Sequence, residues 1–100
     1  MTIQELKENI LANKESFTEF LKAHFDFVNA DLLDNGVLNL NDETVKTNDV
    51  CDEFITIIMH SCAELEDFIF ISLNNSDDND KQYKWNNIDI WAHQYVDDSW

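Results

Sequence analysis

Apolar positions in the first third of the chain recur with helical spacing. Thr2 and Glu5 form a T-x-x-E capping box, and behind it Ile3, Leu6, Ile10 and Leu11 fall on one side of a short helix. Residues 13–15 (NKE) make a joint. Ser16 and Glu19 repeat the box and open a second helix, whose apolar face carries Phe17, Phe20, Leu21, His24, Phe25, Phe27, Val28 and Leu32. The DNG stretch at 34–36 ends it, with Gly36 as a left-handed cap, and 37–40 is a short apolar patch.

Asn48 or Asp49 caps a third helix. Placed at 100° intervals, Val50, Cys51, Phe54, Ile55, Ile58, Cys62 and Leu65 share one arc, while Asp49, Asp52, Glu53, Thr56, His60, Glu64 and Asp67 lie opposite. In 68–73 (FIFISL) the apolar residues point all round, as in a buried last turn or a short strand. A polar loop spans 74–82. Beyond it Ile88, Trp91, Ala92, Tyr95 and Val96 keep helical spacing, capped by Asn86 or Asn87 and running to Asp97. The spacing therefore predicts a mainly α domain over residues 1–100, a single small bundle of about four helices. The alternative is an α+β fold with a short hairpin formed by residues 68–73 and 82–85, disfavoured because the intervening loop is long and lacks glycine.

Composition supports the same picture. One glycine, no proline and 44% hydrophobic residues leave long segments without breakers and allow one core. Residues 1–11 have no continuous apolar run and do not read as a signal peptide. No apolar run approaches the roughly 18 residues that span a membrane. Cys51 and Cys62, about 16 Å apart on one helix, are too far apart to bridge and read as reduced residues of a cytoplasmic protein.

Charge changes the functional picture most. All six basic residues are lysine, against 21 acids, a net −15. Residues 1–48 carry four Lys and nine acids (−5); residues 49–100 carry two Lys and twelve acids (−10). Such a surface repels nucleic acid and anionic membranes and attracts basic proteins. No lysine occurs from Thr47 to Asp80, whereas a merely solvated face more often mixes signs. On the third helix the acids build a ridge about 27 Å long from Asp49 to Asp67.

Candidate chemistry of other kinds is weak. An EF-hand frame starting at Asp78 has Tyr83 where glycine belongs and Asp89 at the twelfth position; a frame at 31–42 has Leu33 at an oxygen position. His60–Glu64 and Asp89–His93 are i,i+4 pairs, but no Glu-x-x-His pair or zinc-type cysteine spacing accompanies them. His24 reads as a packed, hydrogen-bonded histidine and His60 as a salt-bridged one. Cys51 and Cys62 lie on the expected core face, away from any group that would activate them. The sequence predicts no enzyme, cofactor or metal.

What remains is binding. Trp85 and Tyr83 lie off the core stripes beside acidic clusters, as interface aromatics do; Trp91 is assigned to the core. The expected partner surface is Asp49, Asp52, Glu53, Glu64, Asp67, Asp77, Asp78, Asp80, Tyr83, Trp85, Asp97 and Asp98, and the expected partner is a basic protein such as a toxin or nuclease domain. In general character (short, acidic, without a catalytic set) the chain is similar to bacteriocin and contact-dependent toxin immunity proteins and to phage-encoded nucleic-acid mimics, a likeness of character and not of motif. Immunity to a toxin nuclease is the leading expectation. The alternatives are a nucleic-acid mimic or a helical oligomerisation module.

Overall fold

The computed structural model describes residues 1–25, 40–47, 53–60, 66–75 and 78–97. In these residues two helices, α1 (Ile3–Ala12) and α2 (Lys14–His24), precede five strands, β1 (Val45–Thr47), β2 (Phe54–His60), β3 (Glu66–Ser72), β4 (Lys81–Trp85) and β5 (Ile88–Asp97). The strands form one antiparallel sheet in the order β1-β2-β3-β5-β4. The mainly helical bundle is thus corrected to two helices and a five-stranded sheet.

The helical reading of α1 is realised in its cap. The Thr2 hydroxyl accepts the Glu5 N–H at 3.1 Å and donates to the Glu5 carboxylate at 3.3 Å, and Ile3, Leu6 and Ile10 are buried. The second box is not used. Asn13 ends α1 and starts α2 without a side-chain cap, its Nδ2 donating back to the Asn9 carbonyl at 2.9 Å. Ser16 therefore lies inside α2, where its hydroxyl accepts a hydrogen bond from Trp85 Nε1 at 3.2 Å. Phe17, Phe20 and Leu21 are buried on α2 as spaced. His24 is exposed, however, with its ring 4.8 Å from Tyr83 and not enclosed in the core.

The third and fourth helices are strands. Residues 54–60 and 66–72 pair as a hairpin, Ile55 with Ile71 and Ile57 with Ile69, and β3 then pairs with β5, Ile71 with Ala92. A strand sends successive side chains to opposite faces. Ile55, Ile57, Ile69, Ile71, Ile90 and Ala92 all point to the helices and are 0–1% exposed. Val45 and Trp85 complete the buried face on the edge strands. Many intervening positions are apolar too (Phe54, Ile58, Phe68, Phe70, Trp91 and Tyr95), so hydrophobic alternation is blurred and a 100° pattern can be drawn through residues that obey a period of two.

Asn86 and Asn87, expected to cap a helix, make a two-residue turn with φ of 52° and 62° between the paired Trp85 and Ile88. Consecutive positive φ values suit the right-handed twist of a hairpin, and asparagine tolerates them better than most residues. The segments of the α+β alternative are extended but do not pair with each other, because β5 inserts between β3 and β4. The connection from 73 to 80 consequently has to pass β5. It is a crossover, neither a hairpin loop nor a calcium loop: β4 occupies the middle of the frame begun at Asp78. Asp89 and His93, an i,i+4 pair only on a helix, are spread along β5. The frame at 31–42 falls almost wholly outside the described residues, as do Cys51, Cys62, Glu64 and Gly36.

Among the described residues, the helices cover one face of the sheet. α1 packs beside β1 and β2, and α2 meets β4 through Phe17 on Trp85 (4.8 Å, nearly perpendicular rings) and Phe20 on Tyr83 (5.6 Å). The two helices and the sheet share one hydrophobic core.

Candidate functional site: the aromatic face of the sheet away from the helices

On the face away from the helices, β2 presents Phe54, Thr56 and Ile58, β3 presents Phe68 and Phe70, and β5 presents Trp91, His93 and Tyr95. Register places them side by side: Thr56 opposite Phe70 and Phe70 opposite His93, with Ile58 opposite Phe68 and Phe68 opposite Tyr95. No described element lies over them. Seven are half-buried, and Tyr95 is 54% exposed. Rings meet as a connected cluster: Phe54–Phe70 at 5.4 Å and 86°, Phe70–His93 at 5.4 Å, Phe70–Tyr95 at 6.0 Å and Phe68–Phe70 stacked at 6.3 Å. Contiguous exposed apolar patches on monomers commonly mark binding surfaces. Trp91, assigned to the core from its spacing, belongs to this face, since Ile90 and Ala92 on either side of it point to the helices.

One end of this face is anchored by a buried acid. The Asp80 side chain is 3% exposed and its Oδ1 contacts His93 Nδ1. An ionised carboxylate only accepts, so Nδ1 carries the proton in this pair. Burying a carboxylate without such a partner would be strongly unfavourable, and the pair holds the end of the crossover against β5. Between Asp80, His93, Phe70, Tyr95, Phe54 and Glu53 lies an open cleft of about 360 Å³. Glu53, immediately before β2, is exposed.

Charge is arranged around the aromatics by strand position. β2, β3 and β5 contain no lysine; Lys46 and Lys84 sit on the edge strands, paired in register with Thr56 and Asp89. Lysine on an edge strand discourages edge-to-edge pairing, so the cations serve the sheet's borders and leave its middle without positive charge.

The expected partner surface divides accordingly. Asp49, Asp52, Glu64, Asp77 and Asp98 lie outside the described residues. Glu53 and Asp80 are brought together at the cleft. Asp67, opposite Met59 and Val96, and Asp97, opposite Glu66, sit toward the other end of the sheet. With β2 and β3 antiparallel, Glu53 and Asp67 belong to opposite ends of the hairpin, and the continuous helical ridge from 49 to 67 does not exist. Asp78 is exposed in the crossover. Trp85, expected at the surface, is 5% exposed in the core. Tyr83 is half-buried on the helix side against Phe20, His24 and Phe25, and burial pushes its phenol above the ordinary value.

Sequence reasoning missed Phe54, Phe68, Phe70, His93 and Tyr95 as surface residues. The signal was the strict exchange of aromatic and isoleucine in FIFIS, a period-two sorting by shape where both classes count as apolar. Among the described residues no group of three or more His, Cys, Asp or Glu side chains converges to hold a metal ion, and no helix is long and apolar enough to cross a membrane. No protein-family model, curated protein or solved structure matches this chain.

Proposed function

We propose that this chain is a binding protein that neutralises a basic protein partner, as an immunity protein does for a toxin nuclease, and that it works in the cytoplasm without catalysis of its own. The observation that carries the reading is an aromatic face over which no described element lies, on a chain of net charge −15. Long-range attraction between acidic and basic proteins accelerates encounter. Aromatic side chains at the centre of an interface then supply the short-range energy. The nucleic-acid-mimic alternative depended on the helical ridge of carboxylates and loses that support. The oligomerisation alternative rested on 68–73 being apolar all round; as β3 that segment sends Ile69 and Ile71 into the core and keeps Phe68 and Phe70 on the outer face, where self-association would set two strongly acidic chains against each other.

The test is affinity capture from the source cell on the immobilised chain, elution by a salt gradient, and assay of the eluted protein for nucleic-acid cleavage with and without the chain. A basic protein that elutes with salt and is inhibited at one-to-one stoichiometry supports the reading. Association should slow sharply as ionic strength rises, because steering is screened over about 8–10 Å at physiological salt. An on-rate indifferent to salt, or a captured protein that is not basic, refutes it.

A further inference from the structure

Resting on that reading, we propose that the cleft bounded by Glu53, Phe54, Phe70, Asp80, His93 and Tyr95 receives one arginine side chain of the partner. Its walls are rings set at steep angles to one another, Phe54 to Phe70 at 86° and Phe70 to Tyr95 at 64°. A planar cation can therefore lie on one ring face while its edge meets another. Guanidinium suits such a site better than ammonium, being flat, weakly hydrated and able to stack while its N–H groups reach acceptors. Acidic groups stand at two sides of the cleft: Glu53 at its exposed rim and Asp80, 3% exposed, at its inner wall. No lysine lines it. At about 360 Å³ the cleft has room for one such side chain and not for a second domain.

The occupant is not a second copy of this chain. The sequence contains no arginine, and two molecules of net charge −15 repel one another. Phosphate-bearing and other anionic ligands are disfavoured by the same charge. An arginine-bearing basic protein is the occupant that both the field and the cleft select.

The probe is n-butylguanidinium chloride, titrated at fixed ionic strength into the intact chain while the ring resonances of Phe54, Phe70 and Tyr95 are followed by NMR. Saturable shifts confined to these rings are expected, with n-butylurea, its uncharged planar counterpart, binding about tenfold more weakly, within the range that cation–π and charge-assisted contacts provide. Phe70→Ala should abolish the response. Glu53→Gln, at an exposed position where folding is not at issue, should weaken it about threefold by removing one charge at the rim. Equal binding of the urea would overturn the cationic assignment. Equal binding of n-butylammonium would overturn the choice of arginine, and shifts spread over the acidic surface would reduce the effect to counter-ion association and overturn the site. The two proposals separate cleanly. If the probe fails but salt-eluted capture of a basic partner survives Phe70→Ala, the cleft falls and the binding function stands. If the probe binds and no basic partner is captured, the function falls.

Discussion

Ile69 and Phe70 are neighbours on β3 that lie on opposite faces of the sheet, and replacing each with alanine measures what each face contributes. Ile69 is 0% exposed and is flanked by Ile57 on β2 and Gln94 on β5. Ile69→Ala removes three buried carbons, about 2.4 kcal/mol at roughly 0.8 kcal/mol per carbon. A strand hydrogen-bonded on both sides cannot collapse into the space, so the residual cavity raises the cost to about 3–4 kcal/mol. Phe70 is larger but half-buried, and its ring contacts are with other surface aromatics. Because part of that ring faces water and its truncation widens an open cleft rather than leaving a closed cavity, Phe70→Ala should cost about 2 kcal/mol or less. Urea denaturation followed by tryptophan fluorescence reads both. With m near 1–1.5 kcal/mol/M and unchanged between variants, Ile69→Ala lowers the midpoint by about 2–4 M and Phe70→Ala by about half that or less. Domains of this size are typically stable by only about 5–15 kcal/mol, so the first variant approaches the limit of folding. A loss for Phe70→Ala equal to or larger than that for Ile69→Ala would refute the assignment of faces, and with it the aromatic surface away from the helices.

Three further perturbations address separate parts of the molecule. At the β4–β5 turn, Asn87→Gly should raise the melting temperature by a few degrees, whereas Asn87→Val should lower stability by about 1–2 kcal/mol, because only glycine adopts the left-handed conformation without penalty; unchanged melts for both would exclude that turn. Tyr83 has its phenol raised above 10.0 by burial, so the folded state favours the protonated form. Its contribution is fully present below the unfolded value and is lost as pH rises from there through the folded value. Tyr83→Phe should therefore flatten the alkaline fall in urea midpoint measured between pH 8 and 11, and parallel curves for the two proteins would contradict it. In the crossover, Asp78→Asn at an exposed position should leave the denaturation midpoint in place, while Asp80→Ala, which strips the carboxylate from His93, should lower stability by about 1–3 kcal/mol; equal effects would show that the pair does not anchor the segment.

Local pattern and composition determined much about the first 25 residues and the surface. Thr2, Glu5 and the i,i+3/i+4 apolar positions specify α1 because cap and stripe are satisfied within one helix, and the stripe of Phe17, Phe20 and Leu21 places α2's buried face without knowledge of its neighbours. Net charge is a sum over residues, so the acidic character followed from the sequence alone. Tertiary structure decided the rest. Residues 54–60 and 88–97 carry large apolar residues at both odd and even positions, and a segment of that kind acquires a definite period only when pairing partners and a covering layer tell its two sides apart. Ser16 was read as a cap because its helix was considered alone; Trp85, 69 residues later, takes its hydroxyl instead. Asp80 falls among the expected partner-surface acids on sequence alone, because His93, which it pairs with, is 13 residues away, beyond a turn and across a strand pairing. The aromatic cleft exists only where β5 inserts between β3 and β4. Residues 54, 70, 80, 93 and 95 share no local pattern, and it is the order of strands in the sheet that brings them together.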